Sequence, residues 1–208
     1  MDHTLLIFLK APVPGRVKTR LAQDIGDEAA AAAYVEMARA VRDETELLHD
    51  ARIQFVYAPG GDFPDLGWLD MPDAVFWKQE EGDLGTRLGA AFKRAFDEYG
   101  ATVCAVGTDS PGLPSKRIRE AFLRLDDRDV VLGPTEDGGY YLIGMSAFHP
   151  TLFNDIPWSS KETFRETLKR AQKEGLKIDE LTGYFDIDSL ADYERWKMGP
   201  SSATGKGA

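Results

Sequence analysis

Apolar positions along this chain follow two different rhythms. Short apolar runs at residues 4–9, 52–58, 74–79, 102–106 and 129–132 are bounded by Gly, Pro or charged residues, which predicts five strands. Between them the apolar residues recur at helical spacing. Tyr34, Met37, Ala38, Val41 and Leu48 predict a long amphipathic helix over 27–48. Leu84, Leu88, Phe92, Phe96 and Tyr99 predict another over 83–99, closed by Gly100. One further helix is expected to begin near Lys18, after a Pro/Gly loop at 10–17. Another is expected from Ser115 as its N-cap, with Ile118, Ala121, Phe122 and Leu125 turned inward. This β-α-β order implies a mostly parallel sheet with helices on both faces.

Beyond residue 132 the rhythm changes. Asp137-Gly138-Gly139 reads as a turn, and the apolar run Tyr140 to Met145 after it predicts a hairpin or an antiparallel excursion. Helices are expected at 161–173 and 190–196. Asp188 or Ser189 is placed to cap the last one, with Asp192 in the capping-box neighbourhood. Residues 1–198 are read as one domain, and the Gly-rich stretch 199–208 as a disordered tail.

Composition narrows the class of partner. Hydrophobic residues make up 43% and charged residues 29%, as in ordinary globular domains. A net charge of -10 argues against nucleic acid or an anionic membrane as partner. No stretch approaches the ~18 apolar residues of a membrane span. The run at 4–9 is too short for a signal-peptide core, and Asp2 stands where a positive residue belongs. The lone Cys104 lies inside an apolar run, which suits a reducing compartment. A cytoplasmic protein is therefore expected. His3, His49 and His149 are too scattered to suggest zinc.

Candidate chemistry gathers where strands end. The run 102–106 stops at Gly107, and Asp109 follows two residues later with Pro111 blocking continuation. Ligands of open α/β sheets sit beyond the carboxyl ends of the strands, so Asp109 either holds a hard cation there or makes a turn with Ser110 and Pro111. Glu136 and Asp137 follow the fifth strand, read as the neighbour of the 102–106 strand, and are expected to face the same crevice. Gly138 and Gly139 beside these acids allow a ligand to approach the main chain. Asp186 and Asp188 offer a second carboxylate for a cation, or simply the last helix's cap.

The opening loop has the opposite charge. No carboxylate occurs between Asp2 and Asp24, while Lys10, Arg16, Lys18 and Arg20 surround the first strand-to-helix connection. A phosphate is the natural partner for such a cradle at a helix start, and Gly15 lets the backbone come close. Val17 stands where a P-loop requires glycine before Lys-Thr, so the loop is of another kind. Asp83 is a natural N-cap. Gly85, early in its helix, costs about 1 kcal/mol relative to alanine; something packs tightly there, a nucleobase being one candidate.

Together these residues resemble a known set: Lys10-x-Pro12-x-x-Gly15-Arg16-x-Lys18-Thr19-Arg20-Leu21, Gly82-Asp83-Leu84-Gly85, Gly107-Thr108-Asp109-Ser110-Pro111, Gly133-Pro134-x-x-Asp137-Gly138-Gly139-Tyr140-Tyr141, Trp158 and Asp186-Ile187-Asp188. The set is similar to the DUF2064 family, also called radical-SAM/selenodomain-associated transferases, regarded as glycosyltransferases of the nucleotide-diphospho-sugar transferase (GT-A) superfamily. The resemblance spans about residues 4 to 196.

It implies a three-layer α/β/α GT-A fold with a mostly parallel sheet. It also implies a nucleotide site drawing on Lys10, Pro12, Gly15, Arg16, Lys18, Arg20, Asp83, Gly85, Gly138 and Gly139. Mg²⁺ or Mn²⁺ is expected near Asp109, with Asp188 or Asp186 as the second acid. The expected reaction is transfer of a sugar from a nucleoside-diphosphate sugar to a small acceptor. Asp137 or Glu136 would take the acceptor's proton, and Lys18 with its basic neighbours would stabilise the leaving group. Two alternatives are nucleotidyl transfer to a phosphorylated small molecule with release of pyrophosphate, and a non-catalytic nucleotide-binding module. The Gly-Gly pair that opens the first loop of many nucleotidyltransferases is missing here.

Overall fold

Strand β1 (His3–Lys10) sends alternate side chains to opposite faces, and both faces are apolar. Leu5, Ile7 and Leu9 pack with Ala38 and Val41 of α2 (Asp27–Glu46) and with Ile118 and Phe122 of α4 (Ser115–Arg124). On the other face, Leu6 joins a cluster with Leu88 and Phe92 of α3 (Leu84–Tyr99) and Ala171 of α5 (Thr163–Lys173). The result is three layers, α/β/α. The computed structural model describes residues 3–58, 66–72, 74–100 and 102–199.

The remaining strands are β2 (Ala51–Ala58), β3 (Phe76–Lys78), β4 (Thr102–Val106), β5 (Val130–Pro134), β6 (Tyr140–Met145) and β7 (Ile178–Glu180). Their order is β3-β2-β1-β4-β6-β5-β7. β1 pairs parallel with β2 and β4, β2 with β3, and β5 with β7. Among the described strands, only β6 runs antiparallel, between β4 and β5. Because β1 and β4 are parallel neighbours, Lys10 and Val106 finish at the same edge of the sheet, and the residues after them meet there.

The antiparallel excursion expected at 140–145 is present, but it changes the neighbourhood of β4. The expectation that Glu136 and Asp137 leave a strand beside β4 is corrected: β6 lies between. Tyr141 to Met145 are all buried, and a strand apolar on both faces belongs inside a sheet rather than at its edge.

Several boundaries also move. Ser115 is the first residue of α4 rather than its cap, and its N–H donates to Glu44 Oε2 at 2.7 Å. The helix expected near Lys18 is α1 (Thr19–Ile25), since Lys18 itself is left-handed at φ 48°. β7 and the 3-10 turns at Gly67–Leu69 and Pro150–Phe153 were not foreseen. The last helix, α6 (Leu190–Lys197), does carry a capping box made by Ser189 and Asp192. Residues 59–61, the Pro/Gly boundary of the second expected strand, and residues 200–208 of the expected tail lie outside the described residues. No described helix is long and apolar enough to cross a membrane. Cys104 is fully buried, and burial raises its thiol pKa, so it is inert core.

Candidate active site

The opening loop is pinned at one point. Val17 is buried against Ala31 and Tyr34 of α2, which fixes the residue after it. Lys18 turns left-handed and runs inward until its side chain is only 5% exposed. Its ammonium donates to Ile187 O at 2.6 Å and forms an ion pair with Asp109. Ile187 is fully buried, and its N–H donates to Asp109 O at 2.8 Å. Three remote stretches, around residues 18, 109 and 187, are thus tied together beyond the ends of β1 and β4.

With Ile187 fixed, its two acidic neighbours take separate partners. Asp188 accepts from Arg20 Nη1 at 2.9 Å and is half exposed. Asp186 accepts from Ser110 Oγ. Burial, and after it the carboxylates of Asp109 and Asp137, push the Asp186 carboxyl up to about 6, against the opposing Ser110 bond and Lys18 charge. Negative charge at this spot is only partly compensated. Tyr34 lies beneath. Its hydroxyl accepts from Lys10 N at 2.7 Å and stands 3.2 Å from Thr108 Oγ1. Burial pushes it up to about 12, so it remains a neutral phenol.

Two adjoining clefts open above this framework. The smaller, about 160 Å³, is lined by Lys10, Arg16, Lys18, Arg20, Asp109 and Asp188 among others. The larger, about 310 Å³, has apolar walls from Phe8, Leu84, Leu88 and Ile143, with Gln79 and Arg87 as polar members. Lys10, Tyr34 and Asp109 belong to both. The smaller cleft is lined mostly by charged residues, and the larger joins Lys10, Asp109 and Arg87 to an apolar wall.

The structure therefore assembles the basic loop residues with Asp109 and Asp188, and it adds Asp186, Ser110 and Tyr34. The other expected residues are placed differently. Glu136 is exposed, stands 3.4 Å from Arg195 Nη1 of α6, and lines neither cleft. Asp137 Oδ1 accepts from Thr135 Oγ1 at 2.5 Å and Gly139 N at 3.1 Å, holding its own turn together. Asp137 also lies outside both clefts, although its charge reaches Asp186. Gly138, at φ 91°, packs on the backbone of Lys161, so the close approach there is by protein. Gly85 packs in the same way against Phe153 O and the Trp158 indole, which takes the space suggested for a nucleobase. Asp83 caps α3 by accepting from Thr86 N at 2.8 Å. Gly15 takes φ 74°, and Pro12 is half-buried in the same loop.

Lys18 is the largest surprise, because its ammonium is engaged by the protein itself. Gln79, Arg87 and Tyr34 had no functional signal of their own in the sequence: Tyr34 reads as core, Gln79 as the end of a strand, and Arg87 as a polar position of a helix. Among the described residues, no three His, Cys, Asp or Glu side chains are grouped to hold a metal ion by themselves.

Comparison with known proteins places the chain in a family. A candidate nucleotide-diphospho-sugar transferase from Desulfovibrio desulfuricans G20 is 31% identical and superposes with a TM-score of 0.89, covering 97% of this chain and 89% of that one. The inositol-1-phosphate CTP transferase of T. maritima superposes at 0.58 with 16% identity over 93% of this chain and 94% of that one. Rv0371C of Mycobacterium tuberculosis H37Rv, in complex with manganese, superposes at 0.61 with 13% identity over 96% of this chain and all of that one. At such identities the last two show the GT-A-like fold alone. No curated protein matches the chain. Residues 38–160 match the family model described as "Uncharacterized protein conserved in bacteria (DUF2064)". That match covers more than half of the sequence and contains both the Gly107–Pro111 and the Gly133–Tyr141 motifs, so the chain belongs to the DUF2064 family.

Proposed function

We propose that this chain is a metal-dependent transferase that moves a glycosyl group from a nucleoside-diphosphate sugar to a small acceptor. The observation that carries the reading is the junction at Lys18, where the basic loop, Asp109 and the Asp186–Asp188 segment are tied into one edge of the sheet. The small cleft there suits a diphosphate, and the apolar one beside it suits the rest of a nucleotide. The 31% identical relative carries the same class of description.

The donor set fits a hard divalent cation. It is all oxygen, it includes a half-exposed carboxylate at Asp109, and the Asp186 carboxyl, raised chiefly by burial and then by the charges of Asp109 and Asp137, lies close to it. Asp109, with Asp186 or Asp188, would hold Mg²⁺ or Mn²⁺, and the ion would neutralise the diphosphate. The manganese complex of Rv0371C, which shares the fold, supports testing Mn²⁺ first. Arg16 and Arg20, both exposed at the cleft, and Lys10 supply the remaining positive charge as the leaving group gains negative charge. Tyr34 holds Lys10's backbone and the Thr108 hydroxyl in place. Of the two expected acids, Asp137 is the one whose charge reaches the cluster, but it lines neither cleft and its Oδ1 holds its own turn, so the acceptor's base is left unassigned.

A second reading, nucleotidyl transfer, is favoured by the fold shared with the CTP transferase of T. maritima. Product analysis with Mn²⁺ separates the two. Release of a nucleoside diphosphate from a sugar nucleotide supports glycosyl transfer, and pyrophosphate release from a nucleoside triphosphate supports the second. Binding of either without turnover means a non-catalytic module. Full activity of Asp109→Asn in either assay refutes the site.

A further inference from the structure

Two cations, Lys10 and Arg87, line the apolar cleft, and the orientation of the Arg87 guanidinium is set by the protein. Gln79 is 5% exposed, and its Nε2 donates to Val56 O at 2.9 Å and Leu9 O at 3.3 Å, the carbonyls of two sheet strands. With both amide hydrogens committed, its Oε1 faces the other way, and it accepts from Arg87 Nη1 at 3.2 Å. Arg87 Nε donates to Asp83 O at 3.2 Å. Two of the five guanidinium N–H groups are spent in this way. The other three have no acceptor among the described residues; the charge acts on the neighbouring Asp83 carboxylate without closing an ion pair to it. Arg87 is partly buried and lines the cleft beside Gln79, Leu84 and Leu88. A guanidinium held flat by two partners, with donors to spare and apolar walls around it, is a device for reading a planar ligand's acceptors.

We propose that Arg87, positioned by Gln79, reads the edge of the nucleobase and selects bases that present two neighbouring acceptors. This rests on the nucleotide reading above. Guanine offers O6 with N7, and cytosine O2 with N3, while adenine pairs each ring acceptor along its N6 edge with a donor. Uracil offers its two carbonyls with a donor between them and falls between these cases. Gln79 acts through Arg87: by fixing the guanidinium plane, it makes the fork available without the entropy cost of ordering it on binding.

Calorimetric titration of the whole chain with GDP, CDP, UDP and ADP in Mn²⁺ tests this. The better of GDP and CDP is expected to bind about 5- to 150-fold tighter than ADP, the range for one good bidentate pair. Arg87→Lys keeps the charge and loses the planar fork, so it should bind all four nearly equally while retaining most of the affinity for ADP. Gln79→Glu leaves an acceptor opposite Arg87 but removes the donors to Leu9 and Val56; it should blunt the preference without abolishing binding. If ADP binds wild type as tightly as the rest, or Arg87→Lys keeps the full preference, Arg87 does not read the base. If no nucleotide binds wild type at all, the proposed function fails and this inference with it.

Discussion

Replacing Gly85 by alanine sets two well-known effects against each other. Gly85 is the second residue of α3, after the Asp83 cap, and on helix propensity alone alanine there would stabilise by up to about 1 kcal/mol. The tertiary environment opposes this. A methyl group at this position would overlap Phe153 O and Trp158 Nε1 and stand 3.0 Å from Trp158 Cε2. Phe153 is buried at 5% exposure, and its ring packs on Phe92 of the same helix at 5.3 Å. Backbone and indole must both shift, and neither is a flexible side-chain end. Overpacking of this kind costs about 1–3 kcal/mol. The net expectation is a loss of about 1–2 kcal/mol, a fall of roughly 2–8 °C in Tm for a chain of this size. Thermal melts without nucleotide or metal measure it. A Gly85→Ala protein as stable as wild type would overturn the packing argument and return Gly85 to the ligand. An equal loss in the presence and absence of nucleotide assigns the glycine to the fold.

Three other outcomes can be checked. Asp186 holds its proton more tightly in the folded chain (about 6) than an ordinary aspartate does (3.8), so its contribution to stability is lost as pH rises from about 4 through 6. The gap of roughly 2 units is worth at most about 3 kcal/mol. The Asp186→Asn variant, melted without divalent ions, should therefore gain on wild type progressively across that window, and a pH-independent difference refutes the assignment. Lys18→Met removes two charged bonds, to Asp109 and Ile187 O, at about 1.5–3 kcal/mol; a urea midpoint unchanged from wild type would mean that the junction is not stabilising. Gly138→Ala meets both φ 91° and the Lys161 backbone, 2.7 Å away at Cα, and should lose more than 2 kcal/mol. Equal stability would show that the 158–164 loop yields easily.

Much of this molecule can be read along one dimension. The alternation in β1, the helical stripe of α3, the Gly100 end of that helix and the Ser189–Asp192 cap are local, because 2.0 and 3.6 residue periods and caps act between residues a few places apart. The cationic opening loop was legible as charge, and Asp109 as an acid at a strand end. The position of β6 was not. Hairpin formation with β5 is local, but insertion beside β4 depends on which strand most needs cover on both faces. β7 escaped notice because Ile178–Glu180 has no apolar pattern and exists by pairing with β5.

The site divides in the same way. Residue types and their order along the chain were enough to nominate Lys10, Arg16, Lys18, Arg20, Asp109 and the Asp186–Asp188 pair. Only tertiary contacts decided that Lys18 neutralises Asp109, that Asp186 is the crowded acid while Asp188 faces Arg20, and that Gly85 and Gly138 make room for protein. Gln79 and Arg87 likewise became a clamp through carbonyls 70 and 23 residues away. Periodicity and caps report forces between near neighbours. Partner choice, burial and charge compensation are set by residues that the folded chain brings together, and no local pattern records them.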